Sequence, residues 1–300
     1  MIRRIGISCA LFLVLLTGNV FAQTVLRDGV YDKQSTPNRR VIPYIPLREA
    51  DVLWAKVIWR VIDLREKINL PLYYPLNPTE NRKSLWDVIR KEVWPDTSKG
   101  QNNLQPGKAM AFYADINNFD NGFVYSYTKD SLVFSLKDLV SKGLTYSYDN
   151  LKNAAGVDIP QPYTSEDIVQ YIVKEEWFFD KQRSVMDVRI LGICPVARFH
   201  DATDGTPKPD QAPIPLFWIY YPQMRECFSH AEVFNPYNDE ERRTLEDIIW
   251  KRQFSSNIIQ ESNVYNRKIA DYETVTIDAL LEADKIKDKM FNFEHDMWEY

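Results

Sequence analysis

Three apolar runs in the middle of this chain constrain its fold more than any other feature. Glu176-Trp177-Phe178-Phe179 leads into the polar stretch Asp180-Lys181-Gln182-Arg183-Ser184, and Val185 to Phe199 follows as a long aliphatic and β-branched segment. Ile214 to Tyr221 is a third run of the same kind. Runs of this composition, separated by turn chemistry, read as an antiparallel meander. Ala109 to Tyr127 alternates around Asn117-Asn118 and Asn121-Gly122 and adds strand material to the same centre. The connection from His200 to Pro213 carries Gly205, Pro207, Pro209 and Pro213, and reads as a long, polar, exposed loop.

Helical patterns flank this centre. From Leu47, the apolar residues Ala50, Leu53, Trp54, Val57, Ile58, Val61, Ile62 and Ile68 recur at three and four positions, with charged residues mainly between them. That spacing predicts an amphipathic helix ending near Asn69, with Pro71 as its stop. Four segments have the chemistry of a capped helix start: Ser84 to Asp87, Ser135 to Asp138, Thr164 to Asp167 and Thr244 to Asp247. Each offers a hydroxyl to the third helical amide and an acid able to reach back. A last helix is predicted from Thr276 to about Phe293. The fold class is therefore α+β, a mostly antiparallel central sheet flanked by amphipathic helices.

The N-terminus is different. Arg3 and Arg4 precede an apolar core from Ile5 to Thr17, and Val20-Phe21-Ala22 offers a cleavage site, so residues 1–22 read as a secretory leader. The apolar run is too short for a permanent span. Residue 23 is glutamine, so lipid attachment at the new terminus is not supported. Residues 23–46, interrupted by Pro37, Pro43 and Pro46, read as an extended arm ahead of a single domain over 47–300. Val41, Ile42, Tyr44 and Ile45 give the arm apolar groups that it cannot bury alone. They need a surface, either the chain's own body or a neighbouring subunit.

Chemistry is scarce. The whole chain has 37 basic and 42 acidic residues of interspersed sign, which argues against a nucleic-acid partner. Its three histidines, His200, His230 and His295, stand in no ligand or catalytic spacing, and the G-x-S-x-G nucleophile, phosphate-loop and zinc signatures are absent. Asp201, Asp204 and Asp210 read as turn residues rather than a calcium loop. No catalytic, cofactor-binding or metal residue is therefore assigned. Beyond the leader, Cys194 and Cys227 lie in apolar surroundings and favour two buried thiols over a bridge, although an exported chain permits one. Arg242 and Arg243, just before the capped start at Thr244, form a basic pair suited to an acidic partner. Trp298, with Phe291, Phe293 and Met297, gathers apolar mass at the chain's end, for docking on its own body or as an interface element.

Several longer motifs occur in order along the chain. They are Pro71-Leu72-Tyr73-Tyr74-Pro75, Phe179 to Ser184, Arg189 to Val196, Leu216-Phe217-Trp218-Ile219-Tyr220-Tyr221-Pro222, Glu261-Ser262-Asn263-Val264-Tyr265, and Asn292 to Trp298. Together they resemble the GldN family, also called PorN, of the gliding-motility and type IX secretion machinery of Bacteroidota. The resemblance implies a non-enzymatic periplasmic structural subunit without a cofactor. Such a subunit forms a ring with an outer-membrane lipoprotein, the K component, at the inner face of the outer membrane, and contacts the periplasmic part of the M component. The residues alone leave another class open, an exported carbohydrate-active enzyme or sugar-binding module. A glycosidase would need two carboxyls about 5–9.5 Å apart in a cleft.

Overall fold

A computed structural model describes residues 38–79, 82–93, 111–114, 145–146, 161–201, 203–235, 237–238 and 241–297. The strands are β1 (Val52–Asp63), β2 (Ala111–Tyr113), β3 (Thr145–Tyr146), β4 (Gln161–Pro162), β5 (Ile168–Asp180), β6 (Val185–Ala197), β7 (Ile214–Pro215), β8 (Phe217–Tyr220), β9 (Glu232–Val233), β10 (Arg243–Thr244) and β11 (Asn257–Glu261). The α-helices are α1 (Leu70–Tyr73), α2 (Leu85–Val93), α3 (Tyr221–Ser229), α4 (Leu245–Trp250), α5 (Ile269–Tyr272) and α6 (Thr276–Asp296). Seven strands form one sheet in the order β11-β1-β5-β6-β8-β2, with β7 also paired to β6, and every pairing in it is antiparallel. The α+β class and the meander through β5, β6 and β8 agree with the sequence reading. The third run splits at Leu216, and helix α3 takes over at Tyr221.

The first helix does not exist. Residues 52–63 form β1, which pairs with β5 on one side and β11 on the other. Both faces of this strand meet apolar neighbours. Ile58 and Ile62 are buried on one face and Trp59 on the other. A strand buried on both faces is apolar nearly throughout, so a helical stripe can be drawn through it. Trp59, 1 % exposed, would have stood on the polar side of that helix. Pro71 is no stop either, since it occupies the first turn of α1, where its missing N–H costs nothing.

Of the three capped starts among the described residues, two open helices. The Ser84 hydroxyl accepts from the Asp87 amide at 3.1 Å ahead of α2. Thr244 and Asp247 form a reciprocal box ahead of α4, at 3.2 and 3.1 Å. At Thr164 the same chemistry closes a turn into β5, with the Asp167 carboxylate accepting from the Thr164 amide at 2.7 Å. A side-chain cap satisfies an amide in either setting, so the motif does not by itself commit the chain to a helix. Ser135 lies outside the described residues.

Register places Tyr171, Val173, Glu175, Trp177 and Phe179 on one face of β5, beside Ile62, Arg60, Ile58, Lys56 and Trp54 of β1. Two apolar clusters share this face. In one, Ile62, Tyr171 and Val173 pack with Leu85, Trp86 and Ile89 of α2, Met224 and Phe228 of α3, and Ile248 of α4. In the other, Ile58 and Ile258 pack with Ile269 of α5 and with Ala283, Ile286 and Met290 of α6. The opposite face carries Trp59, Ile172, Cys194, Val196 and Trp218. Both cysteines are free thiols. Cys194 is fully buried, and burial raises its pKa, while Cys227 is half-buried.

Candidate interaction surface

The arm residues from 38 to 46 lie along their own body. Arg39 reaches the Asp247 carboxylate at 2.6 Å, at the capped start of α4. Arg225 of α3 donates to the Ile42 carbonyl at 2.8 Å. Tyr44 is the anchor. Its ring is 5.2 Å from Trp250, and the guanidinium groups of Arg225 and Arg189 lie 4.2 and 5.0 Å from its centroid. Cations over aromatic faces gain from the ring quadrupole, more so when partly dry. Burial raises the Tyr44 pKa, against the opposing pull of Arg225 and then Arg189. Beneath the arm, Glu246 accepts from Tyr221 at 2.6 Å and from Arg225 at 2.8 Å.

Val41 and Tyr44 are half-buried in this arrangement, whereas Ile42 and Ile45 remain 69 % and 58 % exposed. A cleft of about 390 Å³ opens between Ile42–Ile45, the β6 residues Asp187–Ile190 and the end of α4 from Ile249 to Arg252. This part of β6 is a sheet edge among the described residues, since β8 and β7 pair only from Gly192 onward. The outward amide of Val188 is satisfied by the carboxylate of Asp187 at 2.8 Å, a device that discourages edge-to-edge pairing. The cations Arg183, Arg189, Lys251 and Arg252 line the cleft, against the one acid Asp187. A second cleft, on the other side of Arg225, is lined by Arg39, Arg40, Pro222, Glu226 and His230. Each of these two clefts holds one carboxylate, so neither has the paired acids of a glycosidase.

The remaining sequence candidates are elsewhere. Arg243 pairs with Glu241 at 3.3 Å on β10, and Arg242 is half-buried beside it. Both precede the N-terminal end of α4, while the arm's Tyr44 meets its C-terminal Trp250. Trp298 lies outside the described residues. Five residues earlier in the sequence, Phe293 docks on the chain's own sheet, 5.0 Å from Trp54 and 6.4 Å from Phe179, while Phe291 stays 66 % exposed.

His200 is not a loop-tip residue. Its side chain is buried, with Nε2 3.1 Å from Asp167 and Nδ1 3.1 Å from the Gly205 carbonyl. It pins the 200–213 loop to the turn before β5. Asp201 and Asp204 face Thr203 and Thr206 rather than each other, and no group of metal-ligating side chains occurs among the described residues.

Sequence reasoning missed a charged seam between the two clusters on the helix-covered face. Glu175, fully buried, meets Arg60 at 3.1 Å, Arg252 at 3.1 Å and the Trp177 indole at 3.0 Å. A second Arg252 nitrogen lies 2.9 Å from its other oxygen but out of hydrogen-bonding line, so that contact is Coulombic. Register shifts between Lys174 and Glu175 and between Trp59 and Arg60 help aim these side chains. Burial lowers the Arg60 pKa, and Glu175 opposes that shift. Two guanidinium groups and an indole engage the Glu175 carboxylate, which joins three distant segments of the chain.

A family model described as gliding motility associated protein GldN matches residues 47–299. The chain belongs to the GldN family. Its GldN-matching region starts where the arm ends, and it covers the whole described sheet and the six described helices. GldN proteins are components of the gliding-motility and type IX secretion machinery. No curated protein is similar enough in sequence to match this GldN-family chain.

Proposed function

We propose that this chain is a non-enzymatic structural subunit of the type IX secretion and gliding machinery, placed in the periplasm at the inner face of the outer membrane. There it forms a ring with the K-component outer-membrane lipoprotein and contacts the periplasmic part of the M component. The match to the GldN family over residues 47–299 carries this reading. The leader-like residues 1–22 support export, with the arm at 23–46 and one domain after it. No helix among the described residues is long and apolar enough to cross a membrane, which fits a subunit held at the membrane by a partner. The clefts support a binding role, because arginine and aromatic side chains around a shallow cavity are the residue types that dominate protein interfaces.

Fractionation of cells producing a tagged chain, followed by pull-down from solubilised outer membrane, tests the proposal. The expected result is a high-mass particle containing the chain and one lipoprotein. Recovery of the chain as a monomer in the cytoplasm, or free of any lipoprotein, would overturn it.

A further inference from the structure

Helix α6 has two apolar stripes. Ala283, Ile286 and Met290 are buried against β11, β1 and α5. On the opposite side, Ile277, Leu281, Asp284, Asp288 and Phe291 recur at four, three, four and three residues, which keeps them on one face. Ile277 is 68 % exposed, Leu281 53 % and Phe291 66 %. Asp284 and Asp288 have no ion-pair partner among the described residues, unlike Glu282, which holds Lys285 at 3.0 Å. The segment 269–297 contains eight acidic residues and three lysines. Its outer face is thus apolar at both ends and acidic in the middle.

The arm cleft is the inverse. Of its four cations, Arg183 is taken by Asp180 and Asp187, and Arg252 by Glu175. Arg189 meets aromatic rings and a backbone carbonyl but no carboxylate, and Lys251 is 3.9 Å from its nearest acid. Around these two cations stand the exposed apolar groups Ile42, Ile45 and Trp250.

We propose that the outer face of α6 of one copy docks in the arm cleft of the next, with Asp284 and Asp288 against Arg189 and Lys251. This deepens the ring reading above and rests on it. One chain cannot make the contact with itself, because α6 cannot turn its outer face to the cleft while its inner stripe stays packed. The two surfaces differ, so the contact is head-to-tail, the geometry that closes into rings. Matched charges would set the register between copies and exclude wrong approaches.

The test uses the full mature chain with its lipoprotein partner, read by sedimentation. Asp284→Lys with Asp288→Lys should lower the assembled fraction by about tenfold, and Arg189→Glu with Lys251→Glu should do the same. All four changes in one chain should restore the particle, because both surfaces are then reversed together. Melting curves confirm folding. If Arg189→Glu frees the arm and unfolds the chain, Lys251→Glu against Asp288→Lys makes the same exchange with residues that hold nothing else closely. Unchanged particles in either pair of reversals, or loss at the cleft that the combined chain does not recover, would overturn the contact while leaving the ring reading standing. A wild-type chain that forms no particle with its lipoprotein would overturn the ring reading itself, and this contact with it.

Discussion

Arg252 and Glu175, 77 residues apart in sequence, meet at 2.9 Å between the two apolar clusters of the sheet's helix-covered face. Arg252 does so from a left-handed backbone conformation, with φ at 53°, an uncommon state for a non-glycine residue. Its guanidinium also lies 5.4 Å from the centroids of both Trp177 and Phe254. The end of α4 is thereby tied to the middle of β5.

Removing the anion should therefore be costly. Glu175→Leu leaves the buried Arg60 guanidinium facing the partly buried Arg252 without their shared anion and should destabilise by about 3–5 kcal/mol. Replacing all three together, with Arg60→Met and Arg252→Leu, should recover most of that loss. Urea unfolding measures both. A single Glu175→Leu chain as stable as the parent would show that the seam is solvated.

The two helix caps should differ. Thr244→Ala removes one reciprocal box and should cost about 1 kcal/mol. Ser84→Ala should cost more, because the Ser84 hydroxyl is also 2.7 Å from the buried Ser165 hydroxyl, a contact beyond the cap itself. Paired thermal melts of the two variants give the order directly, and a smaller loss at Ser84 would contradict it.

Tyr44→Ala should loosen the arm without opening the sheet. The lost ring contacts with Trp250, Arg225 and Arg189 amount to about 1–2 kcal/mol. Hydrogen exchange should quicken around residues 41–45 while β5 and β6 keep their protection. Unchanged exchange in the arm would mean that Arg39 and Arg225 hold it alone.

The 200–213 loop should respond to acid. Hydrogen bonding from Lys208, and then from the Thr203 amide and hydroxyl, lowers the Asp201 pKa from its ordinary 3.8 to about 2. A depressed folded value means that the contribution is whole above 3.8 and is lost as pH falls through about 2. Exchange of the Thr203 amide should therefore rise over that window, after correction for its intrinsic pH dependence. Asp201→Asn should abolish that rise.

The sheet centre was legible because Val185 to Phe199 and Ile214 to Tyr220 are continuous β-branched and aliphatic runs, and they supply β6, β7 and β8 up to the helix start at Tyr221. Thr244 and Ser84 were legible because a cap is a local interaction among four residues. Residues 52–63 were misread because burial on both faces hides the period of two, and only Trp59, out of place on a helix, carried a warning. The charged seam was invisible, since Arg60, Glu175 and Arg252 come from three distant segments and are joined by sheet register. The cleft was half visible. The arm's need for a surface could be read from its sequence, but not that Tyr44 would find one on its own chain while Ile42 and Ile45 would not.

β1, β5 and β6 run for 12, 13 and 13 residues, about twice the usual strand length and roughly 40 Å from end to end. Tension applied along that axis is shared by every rung of the ladder at once. Tension applied at one corner opens the rungs in turn. Such a plate resists shear far better than peeling, so where neighbours grip it decides how much force it can pass on.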